Sequence, residues 1–151
     1  MKIITEGDPR LRKISTTVKY IKNPRYKPFI KDLIRMMYED DGIGIAAPQV
    51  GLNERIIIIN TKDGPVPMIN PEILKFSWRK EFGEEGCLSV PFKYGSVKRS
   101  KSIKAVYQNR DGVVIKIDAK GLLARVIQHE VDHLNGILFI DIAKNIKEKK
   151  A

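Results

Sequence analysis

The chain has 151 residues, 42% hydrophobic and 30% charged, enough for one domain with a buried core and too few for two ordinary ones. No apolar run approaches the ~20 residues of a membrane span, the N-terminus turns polar too early for a secretory leader, and the lone Cys87 excludes an intrachain disulfide and fits a reducing cytoplasm. The net charge of +10 points to an acidic partner, nucleic acid first among them, or to lysine-rich faces that only keep the chain in solution.

Residues 1–24 read as an irregular arm, with turn signals at Gly7-Asp8-Pro9 and Asn23-Pro24. From Pro28 to Asp40, Phe29, Ile30, Leu33, Ile34, Met36 and Met37 recur at helical spacing and predict an amphipathic helix whose methionines fill the core. Gly42-Ile-Gly-Ile-Ala-Ala-Pro-Gln-Val-Gly51 matches a weak dinucleotide pattern, but a helix precedes it and Pro48 interrupts it, so no nucleotide cofactor is expected. It reads better as a close-approach segment in which Gln49 supplies hydrogen-bond donors. Arg55–Asn60 predicts a buried strand, and Val66–Asn70 and Ile73–Phe82 two more. Glu84–Pro91 follows as a Gly-flanked segment around Cys87. Val97–Tyr107 and Val113–Ala119 predict a hairpin about Asn109-Arg-Asp-Gly112. Ile137–Ile140 is short and apolar, and 143–151 is a basic C-terminal tail. No repeat or linker interrupts the chain, so the expectation is a single α+β domain, residues 1–151, in which antiparallel strands surround a central buried helix.

That helix is predicted between Asp118, a candidate N-cap, and Gly136, a candidate stop. Leu122, Leu123, Val126, Ile127, Val131 and Leu134 wrap most of its circumference, the mark of a helix buried on several sides. It also carries His129-Glu-Val-Asp-His133, with the only two histidines of the chain. Residues at i and i+4 share a helix face, so both imidazoles reach one metal ion, and Glu130 is placed to act as a base for a metal-bound water. Burying such a polar cluster without partners costs roughly 2–7 kcal/mol per group, which a metal with hydrogen-bonded surroundings removes.

A catalytic metal usually takes three protein ligands and leaves one position open. Phe139 stands where a third histidine of the H-x-x-G-x-x-H type would fall, and only Glu148, in the tail, remains as a downstream glutamate. Cys87, 42 residues before His129, is the third candidate, because a thiolate beside a divalent cation binds strongly. Against it stand a buried structural cysteine and the nucleophile of a Cys–His hydrolase; the latter leaves the histidine pair and Glu130 unexplained.

Three segments in this order, Gly42-Ile-Gly-Ile-Ala-Ala-Pro-Gln49, Glu85-Gly-Cys-Leu-Ser89 and Gln128-His-Glu-Val-Asp-His133, resemble those of the peptide deformylases, and the resemblance covers nearly the whole chain. It implies a hydrolase that removes the N-formyl group from the N-terminal methionine of newly synthesised proteins and releases formate. Cys87, His129 and His133 would hold one divalent metal, Fe²⁺ in the cell by family analogy, with Zn²⁺, Ni²⁺ or Co²⁺ as substitutes. Metal-bound hydroxide would attack the formyl carbon with Glu130 as general base and then acid; Gln49 and the backbone N–H of Leu88 would stabilise the oxyanion.

Ile43, Leu122 and Val126 are expected to line the methionine slot, and Gly44 to let substrate backbone approach. Glu85 and Arg99 are expected to pair and hold the Cys87 segment, with Asp132 behind the ligands. The implied partners are N-formylmethionyl nascent peptides and, in transient contact near the exit tunnel, the ribosome; no membrane is involved, and the setting is cytoplasmic. Phe92-Lys-Tyr-Gly95 departs from the more polar version of some members, and the tail is shorter than their C-terminal helix. Outside the family, a metallopeptidase and a basic metal-dependent nucleic-acid module remain as other classes.

Overall fold

A computed structural model describes residues 1–149. Helix α1 (Tyr26–Glu39) precedes strands β1 (Gly44–Ala46), β2 (Ile56–Thr61), β3 (Gly64–Phe76), β4 (Lys80–Cys87), β5 (Val90–Ser100), β6 (Ser102–Gln108) and β7 (Val114–Lys120). Helix α2 (Gly121–Leu134) and strand β8 (Lys144–Glu148) follow. All pairings between these strands are antiparallel and make two sheets, β1-β2-β3-β6-β7 and β4-β5-β8.

The isoleucine run explains the layering. Successive strand residues point to opposite faces. Ile57 and Ile59 pack with Val126, Ile127 and Val131 of α2, while Ile56 and Ile58 pack with Ile30, Leu33 and Met37 of α1. β2 therefore carries a helix on each face, and all four isoleucines are buried, each contributing roughly 1.5–3 kcal/mol. The methionines of α1 fill this second core.

Four boundaries differ from the sequence expectation. The predicted strands 66–70 and 73–82 are redivided: 64–76 is one strand, with Asn70 (φ 52°) and Pro71 taken up as a bulge where the register shifts between Ile69 and Glu72, and the chain turns at residues 77–79 so that residues 80–82 belong to β4. The stretch 97–107 is two strands, broken at Lys101, whose N–H and C=O bond to Arg79 and Gly121. Asp118 lies in β7 opposite Lys104; α2 begins at Gly121, with Lys120 in the N-cap position and no side-chain cap. Within the basic tail, Lys144–Glu148 forms an exposed edge strand on β5; residues 150 and 151 lie outside the described residues.

α2 ends at Leu134 with Asn135 as its C-cap, and Gly136 (φ 74°) turns the chain away. Its buried residues include Gln128, Glu130 and His133 besides the aliphatic ones, and it touches β1, β2, β3, β5, β6 and β7. The N-terminal arm closes over the ends of these elements. Ile4 N–H bonds to Gln49 O (2.8 Å), Glu6 N–H to Ser89 O (2.7 Å) and Ser15 N–H to Leu134 O (2.8 Å). No helix among the described residues is long and apolar enough to cross a membrane.

Candidate active site

Strand β4 ends at Cys87, and the register shift between Gly86 and Cys87 turns the chain through Leu88 and Ser89 into β5. This end meets the face of α2 that carries both histidines. One ligand atom each of Cys87, His129 and His133 lies within 4.8 Å of the others, and Cys87 Sγ stands 3.3 Å from His133 Nε2. His129 Nδ1 is 2.7 Å from Glu85 Oε1, which leaves Nε2 as the nitrogen free to face the cluster.

Glu85 is the hub behind this cluster. It accepts from Arg99 Nε (3.0 Å) and Nη2 (2.9 Å) and from Arg125 Nη1 (2.7 Å), and Arg99 Nη1 reaches on to Asp132 Oδ2 (2.6 Å). Burial favours the neutral acid at Glu85, but the hydrogen bonds from His129 and Arg99 outweigh it and hold the carboxyl at about 2. Burial likewise raises Asp132, against the pull of Arg99. The expected Glu85–Arg99 pair is present and buried.

Arg125 was not anticipated. It stands one helical turn before His129 and also donates to Val97 O (2.9 Å) and Glu81 O (2.9 Å), tying α2 to both β4 and β5. As the only arginine or lysine of α2, four residues before His129, it carried the available signal. Gln128 opens the motif segment but has no role predicted from the sequence. Its side chain bonds to both backbone groups of Ser100, Oε1 to N at 3.1 Å and Nε2 to O at 3.0 Å, and fixes the height of α2 over the sheet.

Gln49 has an assigned orientation: its Oε1 accepts from Ala46 N–H (2.9 Å), so Nε2 points to Cys87 Sγ (3.6 Å) and Ser89 Oγ (3.2 Å). Gly44 faces α2. A Cβ there would lie 2.7 Å from Glu130 Oε2 and 2.9 Å from Val126 Cγ1, so the space spared by this glycine is taken by the helix. Glu130 is buried with Oε1 unpartnered, and burial pushes its carboxyl up to about 7.

A cavity of about 680 Å³ opens on this cluster. Its walls include Ile43, Gly44, Gln49, Glu85, Cys87, Leu88, Leu122, Val126, His129 and Glu130. Val126 is 6% exposed and forms the inner wall, whereas Ile43 (50%) and Leu122 (65%) stand at the rim. Arg99 and Asp132 do not reach this cavity; they line a smaller one of about 260 Å³ on the other side of α2.

The donor set fits a divalent cation. It combines a thiol and two imidazoles with an unpartnered buried carboxylate oxygen beside them. The surrounding charge agrees. Burial opposes charge on His129, yet its hydrogen bonds to Cys87 and Glu85 raise it well above the ordinary range, so the site favours one positive charge, which the ring carries as a proton that a bound cation would displace. Burial lowers His133 well below its ordinary value, keeping it neutral and able to ligate.

Residues 1–149 match the family model described as polypeptide deformylase. A peptide deformylase of Thermotoga maritima is 48% identical over 136 residues, 89% of this chain and 82% of its own length. That of Carboxydothermus hydrogenoformans is 44% identical over 148 residues, 98% and 96% of the two chains. Among solved structures, a Thermotoga maritima peptide deformylase superposes with TM-score 0.92 at 45% identity, covering 95% of this chain and 97% of that one. A Met-Ala-Ser-bound peptide deformylase from Acinetobacter baumannii gives 0.88 at 38%, covering 94% and 97%. Matched along its described length by the family model and by relatives near half identity, the chain belongs to the peptide deformylases, hydrolases that act on N-formylmethionyl nascent peptides.

Proposed function

We propose that this chain is a metal-dependent deformylase in which Cys87, His129 and His133 hold one divalent cation and Glu130 carries the proton. The observation that carries this reading is the convergence of those three ligand atoms beside the unpartnered Glu130 Oε1. The cation, Fe²⁺ in the cell with Zn²⁺, Ni²⁺ or Co²⁺ able to replace it, would supply Lewis-acid activation when bound there. Glu130 takes a proton from the attacking water as its oxygen adds to the formyl carbon. The Gln49 amide, aimed by Ala46 N–H, and the Leu88 backbone N–H receive the charge that develops on the formyl oxygen. Glu130 then passes the proton to the departing α-amine; the C–N bond breaks, and formate and a free N-terminal methionine leave.

The methionine side chain enters past Ile43 and Leu122 and packs on Val126, while Gly44 keeps Glu130 close to the reacting carbon. Glu85, Arg99 and Asp132 hold His129 from behind. The Acinetobacter baumannii structure bound to Met-Ala-Ser supports a peptide of this kind as ligand. The chain acts as one catalytic domain, residues 1–151, with α2 as its central element between the two sheets. It works in the cytoplasm on nascent chains, in transient contact with the ribosome near the exit tunnel.

The test is formate release from formyl-Met-Ala-Ser by protein loaded with Fe²⁺ or Ni²⁺ without oxygen. Glu130→Gln lowers kcat by about 10²–10⁴-fold while metal content stays at one per chain. Cys87→Ser loses both metal and turnover. Folded, metal-loaded wild type that releases no formate overturns the reading.

A further inference from the structure

The corner between β3 and β4 is built unlike the rest of the surface. Trp78 is 87% exposed and Phe76 55% exposed, and the turn between the two strands is closed by hydrogen bonds. Ser77 N–H bonds to Ser102 O (2.9 Å), Ser77 Oγ accepts from Ser102 N–H (3.1 Å) and donates to Arg79 O (2.8 Å), and Lys101 N–H bonds to Arg79 O (3.0 Å). The backbone that carries the ring is held by these bonds before any partner arrives, so less of the chain has to be ordered on contact.

The charges at the corner are as unusual. Lys75, Arg79 and Lys80 are exposed and, among the described residues, take part in no ion pair. Lys75 lies directly opposite Lys104 in the β3–β6 register, and like charges so placed are destabilising. Lys104 and Lys101 reach Asp118 and Glu81 only at 3.8 Å. Uncompensated cations alternating with flat aromatic rings suit a single-stranded nucleic acid, which offers both phosphates and base faces. A bilayer suits it less, because Lys75 and Arg79 interrupt the apolar surface that would have to enter it.

We propose that the corner from Lys75 to Lys80 is an RNA-docking surface, on which Trp78 stacks against an unpaired base and Lys75, Arg79 and Lys80 neutralise the adjoining phosphates. The inference rests on the ribosome contact proposed above and names the surface that makes it. Strand β4 runs from this corner to Cys87, about 23 Å at the rise of an extended strand, so docked RNA leaves the cavity open to a peptide.

Trp78 is the only tryptophan of the chain, so its fluorescence reports on this corner alone. Titrating the metal-loaded protein with decaadenylate at low salt quenches Trp78 saturably, and log affinity falls with log salt at a slope of about −2, as three phosphate contacts require. With dye-labelled decaadenylate read by anisotropy, Trp78→Ala weakens binding roughly tenfold, and the triple Lys75→Ala/Arg79→Ala/Lys80→Ala variant flattens the salt dependence. Absence of quenching, affinity unchanged in both variants, or a blue shift on phosphatidylglycerol vesicles without quenching by RNA each overturns the proposal. Formate release from formyl-Met-Ala-Ser, measured alongside, separates the two ideas. An active protein blind to RNA defeats the docking surface, whereas an inactive protein that binds RNA through Trp78 defeats the deformylase assignment.

Discussion

Gly44→Ala tests how Glu130 is positioned. The backbone at Gly44 does not lie in the left-handed region, so alanine brings no backbone strain, only crowding. The new Cβ would stand 2.7 Å from Glu130 Oε2 and 3.0 Å from its Cγ, about 0.7 Å inside ordinary contact at 3.4 Å for the nearer atom. Val126 Cγ1, at 2.9 Å, blocks retreat along α2. Either the carboxylate swings away or β1 lifts from the helix. Overpacking of this kind costs about 1–3 kcal/mol of stability, and displacing a reacting group by up to 1 Å costs on the order of 10²-fold in rate. The assay is kcat/KM for formate release, beside a thermal melt and a metal determination. The expected result is a folded protein with metal bound and turnover reduced by about two orders of magnitude. Turnover within about threefold of wild type would refute the idea that this close approach fixes Glu130.

Arg125→Met removes the donor to Glu85, Val97 O and Glu81 O but leaves Arg99 on Glu85; we expect stability to fall by about 1–3 kcal/mol and metal affinity by about 10–100-fold, measured by melting and by metal titration. Chelating the metal removes a ligand of the folded state. At a free metal concentration a hundredfold above Kd this is about 2.7 kcal/mol, or on the order of 5–10 °C in Tm, and Cys87→Ser should show a much smaller shift. Asp141 is held below its ordinary 3.8 by its hydrogen bond to Arg12. A depressed carboxyl pKa adds stability above the ordinary value and loses it as pH falls through the folded-state value. Asp141→Asn should therefore destabilise near neutral pH and flatten the decline below about pH 4, as read from melts across pH.

Much of the site is legible because its chemistry is local. The His129–His133 spacing, the adjacent Glu130 and the apolar flanks are all properties of one helix. The parts that were missed are set by distant partners. Nothing near Asp118 says that β6 will claim it as a strand residue opposite Lys104. Pro71 reads as a strand end until a bulge accommodates it. Lys101 carries no turn signal, yet its bonds to Arg79 and Gly121 split the predicted strand in two. Arg125 gains its place only when Glu85 arrives from 40 residues upstream. β8, Lys-Asn-Ile-Lys-Glu with a single apolar residue, has no period to read and exists because β5 offers it an edge.

The strapping of the N-terminal arm to the far end of the chain bears on when the protein can first work. Arg12 joins Asp141 across 129 residues of sequence, and Ser15 bonds to Leu134 at the end of α2. Folding must close this long loop, a slow and nonlocal step. Cys87 waits for His129 and His133, and the segment carrying Gln49 is braced by an arm made long before them. During its own synthesis the chain therefore stays without a complete donor set until α2 has been made and has joined the strands, so no copy begins work before that helix is in place.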